Sequence, residues 1–270
     1  MTATSFADLM ASVSALDDAY QVVLPPDWLQ GRTAFGGLTA ALCWQATQRD
    51  ADDLPPLRSA QISFVGPAGG TLRIKPDLLR RGKSSAFYGV DLFGDDKLAA
   101  RAMFCFGASR ESKLDLVDYP APDVPHWDAC EGFFRPVAEH PATPQHFSQH
   151  FESRMAGGAR PVTPGAKPEF LIWLRHGDAT LPDNLSPLIA LADALPPAAI
   201  VAFPPERKPI STMTWSIEVL SDTPKSASGW WLVQSVAKTA QQGYSAQDMS
   251  VWNDQGQPVL MMSQTVAIFA

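Results

Sequence analysis

Ser186–Leu195, SPLIALADAL, and Met213–Leu220, MTWSIEVL, repeat in order and character an earlier pair, Phe35–Ala46, FGGLTAALCWQA, and Gln61–Pro67, QISFVGP. The earlier pair opens on two glycines and runs through good helix formers, which predicts a central helix. In the segment after it, Ile62, Phe64 and Gly66 alternate with Gln61, Ser63 and Val65, the period of a strand with one buried face, and Pro67 helps to end it. The segments downstream of the two pairs also match. LRIKPDLLRR, SSAFYGVDLF and KLAARAMFCFGA read as strands broken at Arg81-Gly82 and Gly94-Asp95-Asp96. WWLVQSVAKTA, YSAQDMSVW and PVLMMSQTVAIFA do the same, broken at Gln242-Gly243 and at NDQGQ. Setting Ala86 opposite Ala246 puts Val90 opposite Ser250 and Phe93 opposite Asn253, so both copies reach a polar turn and a last strand together. The expected fold is α+β: two copies of one helix followed by an antiparallel meander.

Each sheet must hide one face, and its helix supplies part of that cover. An open strand edge in one half can pair with the other half and so be protected. The expected boundaries are residues 1–119 and 168–270, with a crossover at 120–167. The stretch from Pro120 to Pro168 contains nine prolines, but His126, Trp127, Phe133, Phe134, Phe147 and Phe151 lie among them. A free tether would rarely carry so many aromatics, so an ordered crossover packed on the halves is expected.

Composition bounds the function. With 46% hydrophobic and 18% charged residues, the 270-residue chain has material for a real core, and global disorder is disfavoured. A net charge of -7 without a basic stripe argues against a nucleic-acid partner. Cys43, Cys105 and Cys130 show no disulfide framework and no CxxC pair, and read as buried thiols in a reducing compartment. Phe6, Leu9, Met10, Val13 and Leu16 recur at helical spacing, which reads as a short amphipathic helix and not as a signal peptide. No stretch has the length of a membrane span, so a cytoplasmic location is expected. His146 and His150 are four residues apart, but no HExxH motif accompanies them and no metal site is expected. P-loop, GxGxxG and GxSxG motifs are absent, so ATP, nicotinamide and serine-hydrolase chemistry all lose support.

Taken together, Phe35-Gly36-Gly37 before an alanine-rich helix, the strand ending Gly66-Pro67, LLRRGKSS at Leu78–Ser85, LADAL, STMTWSIEV, GWWLV and VLMMSQTVAIF resemble the acyl-CoA thioesterase II class of double hotdog proteins. The similarity spans about residues 20–110 and 168–270. It implies a tandem double hotdog, each half a central helix wrapped by a curved antiparallel sheet, acting in fatty acid metabolism to hydrolyse an acyl-CoA to a free acid and coenzyme A. The substrate is then the small-molecule partner, coenzyme A is part of it, and no separate cofactor is implied. Motif matching places the family's catalytic carboxylate at Asp193 and its hydroxyl at Thr212. The family's final-strand glutamine falls on Thr265, while the nearest glutamine is Gln264, one residue early. A one-residue step along a strand turns a side chain to the opposite face. Either a bulge rescues Gln264, Thr265 takes the polar role, or the hydrolytic site is weakened.

Thioester hydrolysis needs a placed water, donors for the developing oxyanion and an apolar channel. Asp193 could orient or deprotonate the water, although a buried structural carboxylate reads equally from the residues alone. Thr212 with Gln264 or Thr265 could hold that water. Gly36 and Gly37 could aim N–H groups at the carbonyl oxygen, or simply permit close packing. Arg32, Arg80, Arg81 and Lys83 could meet coenzyme A phosphates, or be solvated strand ends. Trp215, Trp230, Trp231, Trp252, Met261 and Met262 suit an acyl tunnel as well as a core. A non-catalytic acyl-group binding protein of the same fold is the rival reading. A hotdog hydratase or dehydratase would need an acid/base set that the sequence does not display. Acyl-chain type and oligomeric state stay open, a homo-oligomer being compatible with the sequence.

Overall fold

The computed structural model describes residues 3–134, 146–204 and 209–269. Residues 135–145 of the expected crossover therefore lie outside the described residues. The chain opens with α1 (Phe6–Ser12), β1 (Ser14–Leu16), β2 (Ala19–Val23) and a small hairpin of β3 (Leu29–Gln30) and β4 (Thr33–Ala34). Then come α2 (Gly36–Asp50), β5 (Leu57–Phe64), β6 (Thr71–Arg81), β7 (Ser85–Gly94) and β8 (Lys97–Gly107). The second half runs β9 (Phe151–Gly158), β10 (Glu169–His176), α3 (Ser186–Ala192), β11 (Ile210–Val219), β12 (Trp231–Gln241), β13 (Tyr244–Trp252) and β14 (Pro258–Ile268).

Twelve of these strands form one antiparallel sheet in the order β1-β2-β6-β7-β8-β5-β11-β14-β13-β12-β10-β9, which wraps both central helices in a tandem hotdog arrangement. The halves meet edge to edge where β5 pairs with β11, Ile62 opposite Trp215 and Ala60 opposite Ile217. The sequence suggested that an open edge would be protected in this way, but its simple meander needs correction. β5 pairs with β8 and not with β6, because the seam requires β5 at the inner edge of its own half. β1, β2, β9 and β10 are strands that the sequence pattern does not reveal.

The face-on register needs a second correction. Ala86 is fully buried whereas Ala246 is exposed, so the alignment that pairs them sets an inward face against an outward one. Inward positions match one residue earlier, Tyr88 with Gln247 and Val90 with Met249. The longer turn between β13 and β14 takes up the extra residue, and a slip of one would reverse every side chain.

Residues 119–130 lie as a strap on the outer face of the second half. The Trp173 and Trp252 indole N–H groups donate to the carbonyls of Pro125 and Tyr119, at 3.0 Å each. Trp127 stacks on Trp230 and meets Trp173 edge-on. Trp230 and Trp252 thus serve this outer cluster, away from any acyl channel, and Met261 faces solvent. Of the three thiols only Cys43 is fully buried; Cys105 and Cys130 are half-buried. No helix among the described residues is long and apolar enough to cross a membrane.

Candidate active site

Pro196 and Pro197 stop α3 early, so Asp193 is the residue that ends the helix and not one of its interior positions. This aims its carboxylate across at the start of α2. There the Gly37 backbone N–H, one of those that a helix leaves unpaired in its first turn, faces it and lowers its proton affinity. Both glycines are needed for the approach: a Cβ on Gly36 would stand 2.5 Å from Asp193 Oδ2, and one on Gly37 would collide with the Ala190 carbonyl. Phe35, which precedes the helix, supplies no side-chain cap, so the carboxylate of the other half acts in that place.

Along β14, Leu260, Met262, Gln264 and Val266 face inward in unbroken alternation, while Thr265 is exposed on the outer face. Gln264 Nε2 donates to Asp193 Oδ1 at 2.6 Å. The structure therefore brings Gln264 to Asp193 with no bulge in β14 at this point, and it keeps Thr265 away for the reason that a strand alternates. A bulge does occur in the facing strand. The register of β11 on β14 shifts between Thr212 and Thr214, leaving Met213 exposed and turning Thr212 to the same side as its partner Val266. Without it, Met213 would take the inward place.

Asp193, Thr212 and Gly36 line one cavity of about 520 Å³. Phe35, Phe64, Phe134 and Phe147 contribute aromatic surface to its walls, Phe35 stacked on Phe147 at 4.1 Å, among small residues, prolines and the polar Gln30, Thr33 and Ser211. Burial pushes the Asp193 carboxyl up to about 7, against the opposing pull of the Gln264 amide and the Gly37 N–H. A carboxylate that holds its proton until near neutrality, beside a hydroxyl and facing a cavity, can act as a general base.

The cationic candidates divide. Arg32 is exposed in the β3–β4 turn, between Gln30 and Thr33, which line the cavity. Arg80, Arg81 and Lys83 are exposed at the β6–β7 hairpin, where Arg81 pairs with Asp53 just beyond the C-terminal end of α2. Gly36 begins α2, so a 15-residue helix, roughly 22 Å long, separates this group from Asp193. The structure does not bring these three to the site.

A second, larger cleft of about 1120 Å³ occupies the repeat-related place, bounded by Trp44, Leu57, Pro187 and Val219. The matching bulge in β5 turns Leu57 inward where β11 turns Thr212, and Phe104 stands where Gln264 does. Cys43, fully buried in α2, takes the place corresponding to Asp193. The polar set is present at one of the two equivalent positions. Sequence reading missed Gln247, a buried β13 residue bonded to Gln264, because the off-by-one register hid its inward face.

Residues 24–107 match the model of an acyl-CoA thioesterase N-terminal domain and residues 125–268 that of an acyl-CoA thioesterase C-terminal domain. Among solved structures, the chain is similar to a conserved hot dog fold protein of unknown function from Alicyclobacillus acidocaldarius, with 22% identity over 99% of both chains and a TM-score of 0.85. It is also similar to an acyl-CoA thioesterase II, TesB2, from Mycobacterium marinum, with 16% identity over 97% of both chains and a TM-score of 0.75. The tesB protein of Mycobacterium avium subs. paratuberculosis gives 17% identity over 98% of this chain and 99% of that one, with a TM-score of 0.75. At these identities the likeness speaks for the fold. No curated protein matches the sequence.

Proposed function

The chain belongs to the acyl-CoA thioesterase family, and from that premise we propose that it hydrolyses an acyl-CoA at the cavity shared by Asp193 and Thr212. The observation that carries the reading is the partly buried Asp193 carboxylate, held by Gln264 at 2.6 Å and opening with Thr212 onto a cavity whose walls include four phenylalanines.

Asp193 takes a proton from water as the water oxygen bonds to the thioester carbonyl carbon. Thr212 orients that water, and Gln264 holds the carboxylate in place. The Gly37 N–H faces Asp193, and Gly36, in the cavity wall, supplies the backbone donor for the carbonyl oxygen. The tetrahedral species collapses with cleavage of the C–S bond, and the proton held by Asp193 passes to the departing thiolate. Free acid and coenzyme A result. The aromatic walls take the acyl group, and Arg32 at the rim is the cation placed to meet a phosphate.

Thiol release from a panel of acyl-CoAs tests this. Asp193→Ala and Thr212→Ala should reduce kcat by about 100-fold or more. Wild-type release by both variants would sink the mechanism, and saturable acyl-CoA binding without turnover by the wild type would favour the non-catalytic binding reading.

A further inference from the structure

We propose that Gln247 is a positioning residue that fixes which end of the Gln264 amide meets Asp193. Gln247 is 3% exposed and sits beside Gln264 on the neighbouring strand. Its Oε1 accepts the Ala198 backbone N–H at 2.9 Å. A backbone N–H can only donate, so that contact admits one orientation of the Gln247 amide. Its Nε2 must then face inward, where it donates to Gln264 Oε1 at 2.7 Å and approaches Met249 Sδ at 3.4 Å. With its oxygen so engaged, Gln264 can present only Nε2 to Asp193. A single main-chain hydrogen at the end of α3's exit loop thus sets the polarity of a chain of amides that ends on the carboxylate.

Reversing Gln264 would put a carbonyl oxygen against Asp193 Oδ1 and set two acceptors face to face. The groups that tune this carboxyl are burial, the Gln264 amide from β14 and the Gly37 N–H from α2; reversal of the amide turns one of the two stabilising partners into a repelling one. The repeat-related half has no such relay, since Tyr88 and Phe104 stand in the places of Gln247 and Gln264.

This inference rests on the proposed role of Asp193, and its test separates the two. In Gln247→Glu the carboxylate still accepts from Ala198 but cannot donate to Gln264, so Gln264 turns over. Gln247→Leu leaves Gln264 free to take either orientation and serves if the Glu variant does not fold. The titration of Asp193, followed by carboxyl-carbon NMR on the full chain, is expected to move upward by about one pH unit in Gln247→Glu, and by less in Gln247→Leu. With acyl-CoA as substrate, kcat of Gln247→Glu should fall roughly 10- to 100-fold while KM holds, with the acid limb of the pH profile displaced the same way. An Asp193 titration identical to wild type in both folded variants would overturn the inference. If the wild type releases no thiol, the hydrolytic reading fails on its own, and the NMR titration still decides the role of Gln247.

Discussion

At the scale of single residues, two buried titratable groups pull stability in opposite directions with pH. The Asp193 carboxyl, raised to about 7, binds its proton more tightly folded than unfolded, so its favourable contribution is complete at low pH and lost as pH rises through 7. His176 is the reverse. Burial between Phe6 and Phe151 lowers it to about 4 while its Nε2 is held by the Pro187 carbonyl, so stability is lost as pH falls from 6.5 toward 4. Over that interval the two largely offset one another in the wild type. Asp193→Asn removes one of them: relative to wild type it should gain stability as pH rises from 4 to 8, by on the order of 4 kcal/mol. Urea midpoints across that range check this, and a constant difference between the two proteins would contradict the buried carboxylate. The motif LADAL pointed to Asp193, but its environment was out of reach: the stop that Pro196 and Pro197 put on α3 stands in the sequence and was not read, and contact with α2 is a tertiary fact. Gln264 and Thr265 stood as alternatives because a one-residue ambiguity in alignment is a whole-face ambiguity in a strand. Only the partners of β14 resolve it.

Elements place these groups through two close approaches, and each glycine of α2 answers for one. Replacing a helical glycine by alanine ordinarily gains about 0.5–1 kcal/mol from reduced backbone entropy. In Gly36→Ala the added methyl meets only side-chain ends, Asp193 at 2.5 Å and the Phe64 ring at 2.9 Å, so the loss of stability should be smaller than in Gly37→Ala while thiol release falls by at least tenfold. Gly37→Ala meets the Ala190 backbone, which cannot yield without parting the two helices, and should lose about 1–3 kcal/mol despite the entropy gain. Urea denaturation and a thiol assay on both variants separate the cases; equal stability would mean that the helices do not cross where described. The long strands of both halves were legible from alternation and Gly/Asp turns. β9 and β10 were not: the proline-rich surroundings of β9 masked it, and EFLIWLRH at β10 is apolar on both faces because Trp173 supports the strap while Phe170, Ile172 and Leu174 enter the core. The strap itself was foreshadowed by its aromatics.

For the whole molecule, neither half owns the candidate site. Gly36 and Gly37 come from the first, whereas Asp193, Thr212, Gln247 and Gln264 come from the second, and the Asp193 carboxylate reaches the first-half helix for one of its partners. The same dependence recurs at the chain's start, where the Phe6 N–H donates to Asp178 at 2.5 Å and Trp28 stacks on His150 at 3.9 Å, tying α1 and its neighbours to β9 and β10. Cutting the exposed segment around Leu114–Val117 should therefore give two fragments that are inactive alone. Fragment 1–113 would expose the β5 edge that β11 now covers and should self-associate through it. Fragment 114–270 keeps Asp193, Thr212, Gln247 and Gln264 but loses the Gly37 N–H that faces Asp193 and the first-half wall of the cavity, including Gln30, Thr33 and Gly36. Co-expression of the two should restore thiol release, because the seam is a continuous sheet and needs no covalent link. Activity of fragment 114–270 by itself would show that α2 contributes packing alone, and the assignment of Gly36 and Gly37 to the reacting centre would then have to be given up.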